Sequence, residues 1–249
     1  MTAENNPALP AADPLVEEGE EAAVDIHKPK PVHSWRELLS EISVIVIGVA
    51  IALAGEQAVE ALHWRHAAEA QREALKDDII EHLVSVKIRA VQQPCVDARL
   101  AQLDIVFKRH AAGEALKMRG RVGRPQNAST GDAVWQLAVQ SGALNHMPLA
   151  ERTQYAGAYS NYENLRELRD DADRSWIDLA ALDNPESLSE GDWVMLRRSY
   201  GQVAAREARI KDVNDYVLTT KTVGQSVPKI TREDALRTPY AKDFCQPLI

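Results

Sequence analysis

Aromatic residues are scarce in this sequence, at 5% with only two Phe. Val, Tyr and Thr do not gather into alternating runs, whereas Ala, Leu, Glu and Arg recur at helical spacing, which favours an all-α class. Cysteine is nearly absent too: Cys95 and Cys245 are the only two. They lack zinc-site spacing and are too few for a disulfide scaffold, but they can form one bridge. A basic surface is missing, since the net charge is −8, and this argues against a nucleic-acid partner. No Lys or Arg precedes Lys28, and residues 1–33 combine five prolines with the acidic run Glu17-Glu18-Gly19-Glu20-Glu21. Such a stretch buries too little apolar surface to offset its chain entropy and reads as a disordered tail.

Site chemistry is thin as well. Glu60-Ala61-Leu62-His63 has the Glu-x-x-His spacing of di-iron bundles, and His66 follows, but those sites need a second copy of the motif and further carboxylates. A polar helical turn explains the residues without a metal. His82, His110 and His146 are isolated in sequence, and no Ser or Cys has a local base motif. Gly120-Arg121-Val122-Gly123-Arg124 lacks the Lys-Ser/Thr and preceding strand of a phosphate loop. No catalytic, cofactor or metal residue is assigned, and the chain reads as non-enzymatic.

What the sequence does hold is one apolar run, Ile42 to Gly55, uncharged over 14 residues. Alone it makes about 21 Å of helix, short of the roughly 30 Å hydrocarbon core of a bilayer. Leu38 to Gly55 is interrupted only by Glu41, however, and Ala58, Val59, Ala61 and Leu62 extend the apolar character. Trp35-Arg36 and Trp64-Arg65 bracket the segment. The two indoles stand about 43 Å apart along a helix, the thickness of a bilayer with its headgroups, where Trp prefers to lie. Residues 36–64 therefore read as a transmembrane helix, with Trp35 and Trp64 as interface anchors and Glu56 as a carboxylate at the hydrocarbon edge. An intramembrane carboxylate points by default to a function, but the favoured reading is that Glu56 reaches out into the headgroups. A buried soluble helix and a signal peptide cleaved after Ala52-Leu53-Ala54 are the rivals. The late position of the run and the unbroken helical sequence after it favour an uncleaved anchor.

Lys28, Lys30 and Arg36 on one side balance Arg65, Arg72 and Lys76 on the other, so charge does not orient the span. The usual arrangement of such an anchor puts the short tail in the cytoplasm and the larger domain in the periplasm. Gly48 and Ala52, with Ala50 and Ala54, have the small-x-x-x-small spacing that can seat a second membrane helix, so a homo-oligomer is a possible partner.

The stretch from His33 through Trp35-Arg36-Glu37-Leu38-Leu39-Ser40-Glu41-Ile42-Ser43-Val44-Ile45-Val46-Ile47-Gly48-Val49, with Gly55-Glu56-Gln57 and Trp64-Arg65, resembles the opening of an uncharacterised family of bacterial single-pass membrane proteins. The resemblance covers residues 33–66. It implies an inner-membrane anchor and a bacterial envelope setting, and no activity.

Beyond the anchor, Leu75, Ile79, Leu83, Val86 and Ala90 mark one face of a helix running to about Gln93. Pro94 is expected to open a second helix, carrying Val96, Leu100, Leu103 and Phe107. Residues 113–130 read as a loop. A short helix follows, from a cap at Ser129 or Thr130 to Ser141, ended by Gly142. Two long helices, 148–183 and 189–222, form an antiparallel hairpin, with Ser189 capping the second. Residues 223–249, with Pro228, Pro239 and Pro247, are expected to be extended. The domain at 65–222 is thus an antiparallel helical bundle.

Ala158, Tyr162, Leu165, Arg169, Ala172, Trp176 and Leu179 form one hairpin seam. Trp193, Leu196, Tyr200, Val203, Glu207, Ile210, Asn214 and Val217 form the other. Level residues in a hairpin turning near 188 have numbers summing to about 376. That sets Arg169 level with Glu207 as an ion pair. A Cys95–Cys245 disulfide would fasten the C-terminal segment to the bundle. The function that follows is protein–protein interaction or a structural role, with a ligand-sensing bundle acting through a separate signalling partner as the alternative and an enzyme as the least favoured.

Overall fold

The computed structural model describes residues 34–127, 131–220 and 222–249. The tail at 1–33 and the proposed caps Ser129 and Thr130 lie outside them. All regular elements among the described residues are helices. Helix α1 is Trp35–Ala111, α2 Ala133–Ser141, α3 Leu149–Leu179, α4 Glu190–Thr219, α5 Arg232–Ala235 and α6 Pro239–Phe244. The chain divides into two units, one reaching Gly55 and one from Glu56 to Ile249. The bundle unit therefore begins at Glu56, nine residues before the boundary expected from sequence.

In the first unit every described residue is exposed except Leu38, which is half-buried. Val44 and Ile45 are among the most open, at 68% and 65%. Among the described residues this is the one helix long and apolar enough to cross a membrane.

In the second unit α1 continues through Pro94, which does not restart a helix as expected. Proline removes one N–H and crowds the carbonyl four residues back. Here its ring is on the exposed side, where that carbonyl can turn to water. The inward face alternates spacings of four and three without a break: Leu75, Ile79, His82, Val86, Arg89, Gln93, Val96, Leu100, Leu103, Phe107. All are buried except Leu100, which is half-buried. A seam this continuous carries the helix on through the proline.

Helix α3 begins after Pro148 and ends in a short 3-10 turn, Ala180–Asp183. The capping box of Ser189 with Asp192 starts α4, because the hydroxyl satisfies an amide that the helix itself cannot. All seven expected seam residues of α3 are buried, and all eight of α4 except the half-buried Tyr200. Each large apolar side chain sealed there contributes about 1.5–3 kcal/mol. Asp178 meets Ser199, Ser175 meets Gln202 and Asp171 meets Arg206, so level pairs fall within one of the expected constant.

The bundle is not a simple up-and-down arrangement. Arg72 bonds Glu151, Asp78 accepts from Tyr159 and Ser85 meets Arg169, so α1 and α3 run parallel. Phe107 and His110 pack on Trp193, so α4 is antiparallel to both. The chain between α1 and α2 must therefore return along the bundle. Travelling from His110 back to His82 covers about 42 Å of helix, and residues 113–131 can reach about 60 Å when extended. The return is pinned on the way: Arg121 and the Val122 amide bond Asp183, and Arg124 and Asn127 bond Asp173. Val122 is fully buried.

The C-terminal segment is not wholly extended. Thr231 makes a capping box with Asp234 to start α5, and Thr238 caps α6 with Pro239 at its first position.

Candidate functional site

Three seams meet in a buried charged layer. Arg89 of α1 and Glu207 of α4, each 1% exposed, form an ion pair. The Trp176 indole N–H donates to the other oxygen of Glu207 at 2.8 Å. Arg89 also donates to Gln93, whose amide donates to Asp97. Arg169 is inward as expected, at 3% exposure, but Glu207 is not its hydrogen-bonding partner. It donates weakly to Ser85 Oγ at 3.5 Å and Asn214 Oδ1 at 3.3 Å.

The expected Arg169–Glu207 pair is thus corrected, for a geometric reason. Helical side chains lean toward their own N-terminus. In an antiparallel hairpin the leans converge, so Arg169 reaches Asn214 and Trp176 reaches Glu207, each beyond the residue level with it. The carboxylate is then open to Arg89, which the hairpin register does not include. Burial, then the neighbouring Arg89, push Arg169 down to about 10, and Glu207 pulls the other way. Two guanidinium groups therefore share one buried carboxylate.

The second cluster fastens the C-terminal segment to α1. Cys95 and Cys245 are joined in a disulfide, with Cα atoms 4.9 Å apart. Arg99, buried one turn along, donates to the carbonyls of Arg121, Phe244 and Gln246. Burial holds its guanidinium below the usual arginine range, against the pull of Asp183. Gln92 donates to Ala235 O, and Gln102 accepts from Leu248 N. Leu248 O accepts from the amides of Arg119 and Gly120. Gly120 is required there: a Cβ would stand 2.7 Å from Pro247 O. Beside this clasp lies a cavity of about 550 Å³, with Trp176 and Phe244 among its walls and Arg121, Arg124, Asp183 and Tyr240 around it.

A third cluster surrounds His82. Its ring stacks on Tyr162 at 4.3 Å, and Asp78 Oδ2 lies 3.2 Å from its Nε2. The same carboxylate accepts from Tyr159 OH at 2.5 Å. Burial lowers the His82 pKa, against Asp78 and Glu81, and raises those of Tyr159 and Tyr162.

Of the residues assigned to the membrane, Trp35 is 78% exposed at the start of α1 and Glu56 is exposed. Trp64 is half-buried and stacks on His146 with ring centroids 4.3 Å apart. It is thus packed into the bundle unit. Among the described residues no group of three or more His, Cys, Asp and Glu gathers as a metal site, at Glu60 and His63 or elsewhere.

Sequence reasoning missed Arg89, Gln92 and Arg99, the polar groups on the inward face of α1. A signal existed, because Arg89 occupies a seam position between Val86 and Gln93. The chain matches no protein family, no curated protein and no solved structure.

Proposed function

We propose that residues 36–64 anchor this chain in a bacterial inner membrane as a single span, with the tail cytoplasmic and the bundle periplasmic. The bundle acts there as a non-enzymatic interaction or structural module. The observation that carries the anchor is the exposed apolar surface between Leu39 and Leu53. In water that surface would be costly; in lipid it is solvated. The Cys95–Cys245 bridge supports a periplasmic bundle, since disulfides persist in oxidising compartments.

The bundle interior supports an interaction role over catalysis. It is filled by packed seams and a buried charged layer, and the cavity lined by Trp176 and Phe244 lies beside the C-terminal clasp. That cavity favours a second reading, a ligand-sensing bundle working through a separate signalling chain.

Alkaline carbonate extraction tests the anchor, and the full-length chain is expected to stay in the membrane pellet. Release into the supernatant, or an N-terminus beginning at Gly55, would refute it. Affinity purification from membranes tests the role. A stoichiometric co-purifying protein is expected, and a chain recovered alone would count against an interaction module.

A further inference from the structure

The first turns of the bundle unit carry a recess of about 550 Å³, walled by Gln57, Glu60, Trp64, Arg65, Arg72 and His146. Its construction separates committed groups from free ones. Arg72 is committed, bonding both Glu69 and Glu151 and thereby fixing the first turn of α3 to α1. Trp64 is committed on one face, where His146 stacks on it nearly parallel, at 11°. The turn that delivers His146 is itself fixed. Gly142 ends α2 at a φ of 75°, and a Cβ there would meet the Trp64 ring at 3.9 Å. The Trp64 N–H donates to Glu60 at 3.3 Å, which holds that carboxylate at the rim.

Arg65 and Gln57 remain. Neither has a hydrogen-bond or ion-pair partner among the described residues, and the His146 ring has only its stacking contact. The recess thus offers unused donors on Arg65, Gln57 and His146, and one oriented carboxylate on Glu60. Guanidinium donors suit a phosphate, geometrically and electrostatically. A carboxylate beside an indole suits an ammonium group. A ligand carrying both charges satisfies the recess without leaving Glu60 facing an anion.

We propose that this recess binds a zwitterionic phosphate ester bearing an ammonium group, with Arg65 on the phosphate and Glu60 on the ammonium, and that its source is the headgroup of a membrane phospholipid. The choice of source rests on the anchor reading above, since Trp64 is one of the two indoles placed at bilayer interfaces. A free phosphoethanolamine would offer the same chemistry from solution.

The test uses the full chain in detergent micelles and reads the thermal midpoint of unfolding. The additives are phosphatidylethanolamine, phosphatidylglycerol, diacylglycerol and water-soluble phosphoethanolamine. Wild-type chain should be stabilised by phosphatidylethanolamine at the lowest concentration and not by diacylglycerol. Arg65→Gln should weaken that response about tenfold. Glu60→Gln should shift preference from phosphatidylethanolamine to phosphatidylglycerol. Both residues are at the surface or rim, and an unchanged midpoint without lipid confirms folding. An equal response in Arg65→Gln, or an equal response to diacylglycerol, overturns the site. A response to phosphoethanolamine as strong as to the lipid overturns the lipid source. Carbonate extraction of membranes carrying the same chain, before detergent is added, separates the two readings: a chain that stays in the pellet but ignores lipid sinks this inference alone, and a chain that is released sinks the anchor.

Discussion

Replacing Glu207 with Gln removes a charge and little volume from the centre of the bundle. Glu207 is 1% exposed and is the ion-pair partner of Arg89, itself 1% exposed, with Arg169 at 3% in the same layer. In Glu207→Gln both guanidinium groups keep their burial and lose their shared counter-charge. Removing one partner of a buried pair costs about 3–5 kcal/mol. The amide can still accept from Trp176 Nε1, so the hydrogen bond worth about 1 kcal/mol survives and the loss is electrostatic. For a unit of this size each kcal/mol moves the midpoint about 2–4 °C, so the expected fall is roughly 6–20 °C. Thermal melts of the full chain in detergent, followed by circular dichroism, read it directly. The partner variant Arg89→Met/Arg169→Met/Glu207→Leu replaces the whole layer with apolar groups and should recover most of the loss. A loss under about 1 kcal/mol in Glu207→Gln would refute the reasoning, as would a triple variant no more stable than the single.

Three further outcomes are expected. Under denaturing, non-reducing conditions neither cysteine should react with an alkylating agent. Cys95→Ser/Cys245→Ser should lose up to about 4–5 kcal/mol in urea melts, the entropy of a closed loop of 150 residues. Arg99→Met leaves three carbonyls without their donor, and hydrogen exchange of residues 231–249 should quicken well beyond that of α3. His82 titrates near 6.5 when unfolded and lower when folded, because it is buried. Below pH 6.5 the unfolded chain takes a proton that the folded chain refuses, so stability should fall as the pH drops toward the folded pKa and be level above 6.5. The slope should approach at most about 1.4 kcal/mol per pH unit, and His82→Gln should flatten it.

The hairpin was legible in the sequence because its two seams carry unmistakable three-and-four spacing, with Arg169 and Glu207 as inward polar members. Which polar groups touch was not, because spacing fixes heights along a helix and not the lean of side chains. The second partner of the layer, Arg89, belongs to a third helix whose register no hairpin turn sets. On α1 the apolar residues alone form two separate repeats, one on either side of Pro94. Admitting His82, Arg89 and Gln93 as seam positions joins the pieces into one. The short helices of the C-terminal segment were also signalled, by Thr231 with Asp234 and by Thr238-Pro239. Three prolines suggested extended chain and hid them. The parallel course of α1 and α3 was the least accessible feature, since it depends on a loop extended enough to retrace nearly the whole bundle. The Trp64 recess draws its parts from α1 and from the turn after α2, which no local pattern connects.

The clasp between α1 and the C-terminal segment also orders events in time. Cys95 is synthesised before α2, α3 and α4, and its partner only after all three. Throughout that interval the Cys95 thiol has no partner within its own chain. Arg99 lacks its acceptors Phe244 and Gln246 for the same interval. Chains interrupted before Cys245 would therefore carry an unpaired cysteine and an unsatisfied guanidinium together. Such products are expected to cross-link to one another or to an oxidoreductase, whereas finished chains carry the second thiol and close the bridge within one molecule.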